Sequence, residues 1–299
     1  MNIGIIGLGK MGFNLSLNLI RNNHTVFAYD LNKENVDNIK KEGANGAYTI
    51  KELVESIPGR KVIWLMIPSG KVVDDTIEEL LKYLNSNDII IDGGNSNYKD
   101  SIRRYKELKE KNIDFMDCGT SGGTSGALNG ACTMIGAEDE PFEYCEQVFK
   151  DLSIKDGYLH VGKPGSGHFT KMVHNGVEYG MMQSIAEGFE ILSKSEFDID
   201  YEKVAKLWNN GSVIRGWLME LAQEAFAKDK DLSGIKGVMH SSGEGKWTVE
   251  TALDLQVPAP VIALSLMMRY RSLEDDTFTG KVVAALRNGF GGHAVEKNN

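Results

Sequence analysis

The chain has 299 residues, enough for about two domains and for a core that needs no disulfide or metal staples. Its 33 Lys and Arg against 42 Asp and Glu leave a formal net charge of −9, which disfavours nucleic acid or an acidic membrane surface as a partner. With 41% hydrophobic and 25% charged residues the composition is that of a folded domain protein rather than a disordered one. The apolar runs are too short to span a bilayer and no secretion signal is read at the N-terminus, so a cytoplasmic location is expected.

In the first half, apolar runs at 2–6, 25–29, 62–67, 88–92, 113–117 and 131–135 alternate with amphipathic stretches at 11–22, 33–42, 70–84, 98–111 and 140–150. The runs are nearly continuous, as in Val62-Ile63-Trp64-Leu65-Met66-Ile67 and Ile89-Ile90-Ile91, which suits parallel strands covered on both faces. Strand–helix alternation predicts a doubly wound α/β sheet, and the crossover rule makes it one continuous sheet. Gly162, Pro164, Gly165 and Gly167 then break the pattern. Helical periodicity follows at 167–194, 200–209, 213–228, 246–256, 258–272 and 277–288, with Pro258 and Pro260 punctuating a helix start. The domains predicted are therefore 1–164, α/β, and 165–299, all-α, ending in an irregular glycine-rich tail from Asn288 to His293. Cys118, Cys132 and Cys145 are odd in number and widely spaced, which predicts reduced thiols rather than a disulfide framework or zinc site.

Between the first strand and first helix lies Gly7-Leu8-Gly9-Lys10-Met11-Gly12. In that context a G-x-G-x-x-G turn binds a dinucleotide. Gly7 permits the turn, Gly9 lets backbone approach the diphosphate, and Gly12 lets the helix pack on the strand. The helix N-terminus supplies free N–H groups and partial positive charge. Asp30 ends the second strand 18 residues after Gly12. A carboxylate there accepts the adenosine ribose hydroxyls and repels a 2′-phosphate. NAD is expected; NADP is possible but disfavoured by Asp30, with Lys33 nearby. A strand-end turn or helix-cap role for Asp30 stays open.

Farther along, Lys171, His174, Asn175, Glu178 and Tyr179 follow i, i+3, i+4, i+7, i+8 and share one helical face. Met172, Val173, Val177, Met181, Ile185 and Phe189 occupy the other sides. A helix apolar around much of its circumference is expected to be buried, with its polar stripe lining a cleft; a solvated face is the plainer alternative. Gly176 and Gly180 suggest close backbone approach, since glycine costs helix stability. Lys171 is the candidate general base and Glu178 the candidate acid. At i, i+7 they stand about 10 Å apart along the axis, room for a ligand between them. Asp92-Gly93-Gly94-Asn95-Ser96 and Thr120-Ser121-Gly122-Gly123 follow predicted strands, at the sheet end where ligands bind. Asn95 and Ser121 are candidate donors or plain turn residues, and Met66 borders the nicotinamide ribose. The six histidines are dispersed, and no metal site is read.

These residues together resemble the 6-phosphogluconate dehydrogenase family in its shorter-chain form. The resemblance is carried by Gly7-Leu8-Gly9-Lys10-Met11-Gly12-Phe13-Asn14, Ile91-Asp92-Gly93-Gly94-Asn95-Ser96, Ser121-Gly122-Gly123, the block from Lys171 to Tyr179, Gly243-Glu244-Gly245-Lys246-Trp247-Thr248, and Arg287 with His293 six residues on. The Gly165, Gly167, Lys171, Asn175 spacing is shared with the wider β-hydroxyacid dehydrogenases. The family implies an N-terminal doubly wound Rossmann sheet and an all-α C-terminal domain. It implies oxidative decarboxylation of 6-phospho-D-gluconate to ribulose 5-phosphate, a step of the pentose phosphate pathway, with Lys171 as base and Glu178 as acid. Asn95, Ser121, Gly122, Gly123, His174 and Asn175 would hold the sugar acid. Tyr179, Arg215, Arg287 and His293 would hold its phosphate end. The tail would enter a neighbouring subunit, making a homodimer or homotetramer in which Arg287 and His293 act in trans. Two positions depart from long-chain members, which carry a lysine at Ser242 and a threonine at Glu244; Glu244 beside a phosphate dianion is repulsive unless it turns away. The competing readings are a non-decarboxylating β-hydroxyacid or gluconate dehydrogenase and a non-catalytic NAD-binding sensor.

Overall fold

Along the first strand, β1 (Asn2–Ile6), successive side chains point to opposite faces, and both faces are apolar. Such a strand is stable only with helices on either side, and the computed structural model, which describes residues 1–297, shows this arrangement. By internal contacts it divides into two units, Met1–Asn175 and Gly176 onwards, the division falling inside one long helix.

The first unit is built on one eight-stranded sheet in the order β3-β2-β1-β4-β5-β6-β7-β8. The strands are β1, β2 (Thr25–Tyr29), β3 (Asn45–Ala47), β4 (Val62–Leu65), β5 (Ile89–Asp92), β6 (Asp114–Ser121), β7 (Ala131–Gly136) and β8 (Ser153–Gly162). All pairings are parallel except β6 with β7. The helices are α1 (Lys10–Arg21), α2 (Lys33–Lys41), α3 (Ile50–Ser56), α4 (Lys71–Leu80), α5 (Tyr98–Lys109), α6 (Gly123–Asn129) and α7 (Asp139–Leu152). Ile3, Ile5, Trp64 and Ile91 pack with Leu15 and Leu19 of α1 and Phe149 of α7. Ile6, Ile63, Leu65 and Ile90 pack with Leu53 of α3 and Val73 of α4 on the other side. Each of these buried side chains contributes about 1.5–3 kcal/mol of transfer free energy. The predicted doubly wound sheet is thus present. Cys118 and Cys145 are free and buried, and burial pushes both thiols up, Cys145 to about 12.

The structure adds four elements that the periodicity does not predict. Strand β3 has three residues with no apolar pattern. Strand β8 is half-exposed, and Asp156 sits at φ 61° in it. Helices α3 and α6 have seven residues each, too short for a periodic signal. The predicted strand 62–67 ends at Leu65, because the chain turns there to meet the glycine-rich loop.

Helix α8 (Ser166–Ser193) carries residues of both units. Its polar stripe is its covered side: Lys171, Asn175 and Tyr179 are buried. The expectation that the apolar sides of this helix are buried is corrected for one of them, since Val173, Val177 and Met181 are 36%, 48% and 52% exposed. They recur every four residues and form one uncovered apolar stripe.

In the second unit, α9 (Tyr201–Asn209), α10 (Trp217–Lys228) and the end of α8 share a small aromatic core of Phe189, Tyr201, Trp208 and Phe226, their rings 4.8–6.3 Å apart. Helices α11 (Gly243–Asp254) and α12 (Pro260–Arg271) pack against α8 at its glycines. A Cβ on Gly176 would lie 2.6 Å from Thr248, and one on Gly180 3.2 Å from Val261. Helix α13 (Phe278–Gly291) has no buried residue. It overturns the expectation of an irregular tail from Asn288: Gly289 and Gly291 stay helical, and Gly292, at φ 63°, closes the helix in the left-handed conformation that glycine permits. No helix of the described residues is long and apolar enough to cross a membrane.

Candidate active site

Three glycines between β1 and α1 play three separate parts. Gly7, at φ 97°, takes a conformation that other residues avoid, and a Cβ there would strike the Met66 carbonyl at 2.4 Å. A Cβ on Gly12 would fall 1.9 Å from the Gly7 oxygen, so α1 reaches β1 only because position 12 has no side chain. Around Gly9 there is nothing within 4 Å of such an atom. Gly9 is also the N-cap of α1 and offers no side-chain cap, so the first N–H groups of the helix are open to an anion. Beside the turn lies an open cavity of about 750 Å³ bordered by Leu8, Gly9, Lys10, Asn14 and Thr124, of the size a cofactor pocket has. The turn therefore fits a dinucleotide diphosphate.

Asp30 takes the strand-end turn role that its position left open, and ties down the glycine turn as well. One carboxylate oxygen accepts the Leu8 N–H at 2.6 Å and the other accepts the Asn32 N–H at 2.7 Å. The carboxylate so ties the turn to the end of β2. A carboxylate has about four lone-pair sites, so acceptor capacity remains for a ribose. The cap of α2 is Asn32, which accepts from Glu34 N–H.

Asn95 is exposed in the turn after β5, and that turn is held from below. Asp92, wholly buried, accepts from Ser96 Oγ at 2.7 Å, from Gly94 N–H at 3.2 Å and from Arg104 Nη1 at 3.2 Å. The same guanidinium donates to Gly70 O at 3.0 Å and to Asp74 at 2.7 Å. One buried Arg104 thus joins the loops after β4 and β5. Sequence reading missed it, because an arginine on an amphipathic helix looks like a solvated residue.

At the end of β6, Ser121 leads into α6 through Gly122 (φ 116°) and Gly123 (φ 58°). Ser121 Oγ lies 3.2 Å from His174 Nε2, and His174 Nδ1 lies 3.5 Å from Lys171 Nζ and 3.0 Å from Asn175 Oδ1. Asn175 Oδ1 only accepts, so the tautomer with the proton on Nδ1 donates to it and leaves Nε2 to accept from Ser121 Oγ. Lys171 passes closely over Gly119, where a Cβ would lie 2.3 Å from its own. The start of α8 is fixed by Asp117, a buried carboxylate that accepts from Gly165 N–H at 2.5 Å and His168 N–H at 2.7 Å. Burial pushes the Asp117 carboxyl up; His168 and those two N–H groups oppose the shift. Four predicted residues, Ser121, Lys171, His174 and Asn175, are therefore joined.

In the second unit Tyr179 is buried, with its hydroxyl 3.3 Å from Ser242 Oγ and accepting Ser242 N–H at 3.2 Å. The Arg269 guanidinium lies 3.7 Å above the Tyr179 ring and donates to His240 O at 2.8 Å. Arg269 was not foreseen: it stands on α12 with no motif around it, and only the fold brings it to Tyr179. Glu178 is half-buried on α8. Arg215, Arg287 and His293 are exposed, and no hydrogen bond among the described residues joins them to Tyr179.

Residues 2–162 match the family model of the NAD binding domain of 6-phosphogluconate dehydrogenase, and residues 167–286 match that of its C-terminal domain. A Bacillus subtilis protein named "Putative 6-phosphogluconate dehydrogenase YqeC" is 58% identical over 297 residues, covering 99% of this chain and 100% of the relative. The NAD(+)-dependent, decarboxylating 6-phosphogluconate dehydrogenase of Haloferax volcanii is 42% identical, covering 99% of each chain. Among solved structures, Plasmodium falciparum 6-phosphogluconate dehydrogenase superposes with a TM-score of 0.84 at 30% identity, over 100% of this chain and 67% of that one.

Proposed function

The chain belongs to the 6-phosphogluconate dehydrogenase family, and from that premise we propose that it catalyses NAD-dependent oxidative decarboxylation of 6-phospho-D-gluconate to D-ribulose 5-phosphate and CO2. The observation that carries this reading is the buried Lys171, held through His174 to Ser121 and placed on the same continuous helix as Glu178. The open turn at Gly7, Leu8, Gly9, Lys10, Met11 and Gly12, with Asp30 and Met66, would hold the dinucleotide. A nicotinamide cofactor held there would supply the hydride acceptor for C3 of the sugar acid. Lys171, as the neutral amine, takes the C3 hydroxyl proton. As an ammonium it then hands that proton to the new C3 carbonyl oxygen as the bond to the carboxylate breaks and CO2 leaves, which neutralises the charge gathering there and gives the enediol. Glu178 delivers a proton to C1 of the resulting enediol while Lys171 recovers the enol proton. Asn95, Ser121, Gly122, Gly123, His174 and Asn175 orient the acid end, and Tyr179, Arg215 and Arg269 serve the other. Preference for NAD follows from Asp30, whose charge repels a 2′-phosphate, with Leu31 next to it and 89% exposed.

The direct test is initial rates on 6-phosphogluconate and gluconate, each with NAD and NADP, while CO2 is trapped. The fastest turnover is expected with 6-phosphogluconate and NAD, with one CO2 for each NADH. Reduced cofactor without CO2 would sink the decarboxylating assignment, and faster turnover with NADP would sink the role given to Asp30. Glu178→Gln removes the acid and keeps the shape. Ribulose 5-phosphate formation should fall by about 10²-fold while the dinucleotide binds as before; unchanged yields of NADH, CO2 and pentulose would remove Glu178 from the mechanism.

The assembly proposed is a homodimer or homotetramer. Phe278, Leu286 and Phe290 on α13 are 79%, 61% and 80% exposed, and α8 separately leaves its own apolar stripe uncovered. A second copy of the chain is the cover that fits, since such patches mark interfaces. Arg287 and His293 lie at the same end of the chain, where a neighbouring copy would receive them.

A further inference from the structure

Ser101 and His168 are both buried, and their side chains have no part in the site described above. Ser101 stands on α5, and its Oγ lies 2.7 Å from Nδ1 of His168, in the first turn of α8. The hydroxyl has one proton to give, and a neutral imidazole has one N–H. A ring proton on Nε2 would be a buried donor without an acceptor, since Nε2 has no hydrogen-bond partner among the described residues. Orphaned buried N–H groups are rare, and an Asp117 oxygen 4.0 Å from Nδ1 favours the proton there. Nδ1–H therefore donates to Ser101 Oγ, and the serine proton turns to Asn97 O at 3.4 Å. Asn97 caps α5 by accepting the Lys99 N–H, and it closes the turn that carries Asn95. A polar chain so runs from the helix of Lys171 to the turn of Asn95. The packing around it leaves little room for slip. The Tyr98 and Phe169 rings meet edge to face at 5.0 Å, and a Cβ on Gly165 would fall 2.5 Å from Ile102.

We propose that Ser101 and His168 are positioning residues: their hydrogen bond locks the start of α8 to the cap of α5 and so sets the place of the Lys171 amine against Asn95. This rests on the reading that Lys171 takes the hydroxyl proton and that Asn95 meets the acid end of the substrate. Lys171 follows His168 by three residues, on the next turn of the helix, and Asn95 precedes Asn97 by two. Both locking residues are sealed from solvent, so they act through these neighbours and not on the substrate. One turn after Ser101 on the same helix, Arg104 fastens the loops after β4 and β5. Helix α5 then holds two loops and the base in one register. Register matters here because a misplacement of about 1 Å costs up to about 10²-fold in rate.

The experiment measures kcat on 6-phosphogluconate with NAD, the NAD dissociation constant and urea stability for the full-length protein and four variants: Ser101→Ala, His168→Leu, their double, and His168→Asn. Leucine keeps the bulk of the ring and loses the donor. Asparagine loses bulk, but its amide nitrogen stands where Nδ1 stood. Ser101→Ala removes a single oxygen, so it decides the matter if a position-168 variant folds poorly. Ser101→Ala and His168→Leu are each expected to lower kcat by about tenfold, with NAD affinity unchanged. The double variant should be no slower than either single one, because both remove the same bond. His168→Asn should turn over close to wild type although its cavity makes it less stable than His168→Leu, an order that a purely structural role would reverse. Wild-type kcat in Ser101→Ala, losses that multiply in the double variant, or a His168→Asn enzyme slower than His168→Leu each overturn the proposal. Failure of the functional reading looks different: the wild type then forms no NADH from 6-phosphogluconate. The lock is in that case judged by hydrogen exchange, which Ser101→Ala should speed at residues 168–172; unchanged exchange there overturns it.

Discussion

Lys171→Ala is expected to lower NADH formation from 6-phosphogluconate by about 10³-fold, with the NAD dissociation constant unchanged. Lys171 is buried and clears Gly119 so narrowly that its stem has one course to follow. Its amine ends beside His174, itself held by Ser121. In the proposed mechanism, removing it takes away both the acceptor of the hydroxyl proton and the cation that assists loss of CO2. Lys171→Arg separates these roles. A guanidinium keeps the charge but stays protonated, so it cannot accept the proton. If Lys171 is the base, the arginine variant should be about as slow as the alanine variant in single-turnover absorbance measurements. An arginine enzyme that keeps a tenth or more of the wild-type rate would show that charge suffices and that the base lies elsewhere.

The second large effect concerns the turn. Gly12→Ala places a methyl 1.9 Å from the Gly7 carbonyl oxygen and 3.1 Å from Met66 Cβ. The first neighbour is backbone and cannot swing aside, so α1 must retreat from β1. Retreat strains the Leu8 N–H bond to Asp30 and opens the diphosphate cradle. The expected cost is about 2–4 kcal/mol in urea unfolding, with dinucleotide affinity lower by about 10²-fold or more. Gly9→Ala is the matched control. Its Cβ meets nothing within 4 Å, so stability should stay near wild type while affinity falls, because the methyl enters the space the ligand needs. Equal stability of Gly12→Ala and wild type would show that the packing argument is wrong.

Much of this could be read from the chain before any coordinates. The glycine turn, Asp30 and the Lys171 stripe announce themselves because each depends on local spacing, and periodicity is a local property. The two roles that were missed are non-local. Arg104 and Arg269 look like surface residues on their helices; only the tertiary fold sets one under the loops after β4 and β5 and the other over Tyr179. Helix α8 misled for a related reason. Val173, Val177 and Met181 are apolar, and an apolar residue says that it will be covered without saying by what. The tail misled through its glycines, which weaken a helix without forbidding it. Short elements such as β3 and α6 carry too few residues for a period to show.

Helix α13 has one more implication. A helix with no fully buried residue gains little from its own chain's folding, and most helical stability in proteins comes from packing. If association supplies the packing, the unfolding equilibrium obeys mass action: the thermal midpoint climbs with protein concentration, and on dilution the amides from Phe278 to Gly291 are the earliest to exchange with solvent.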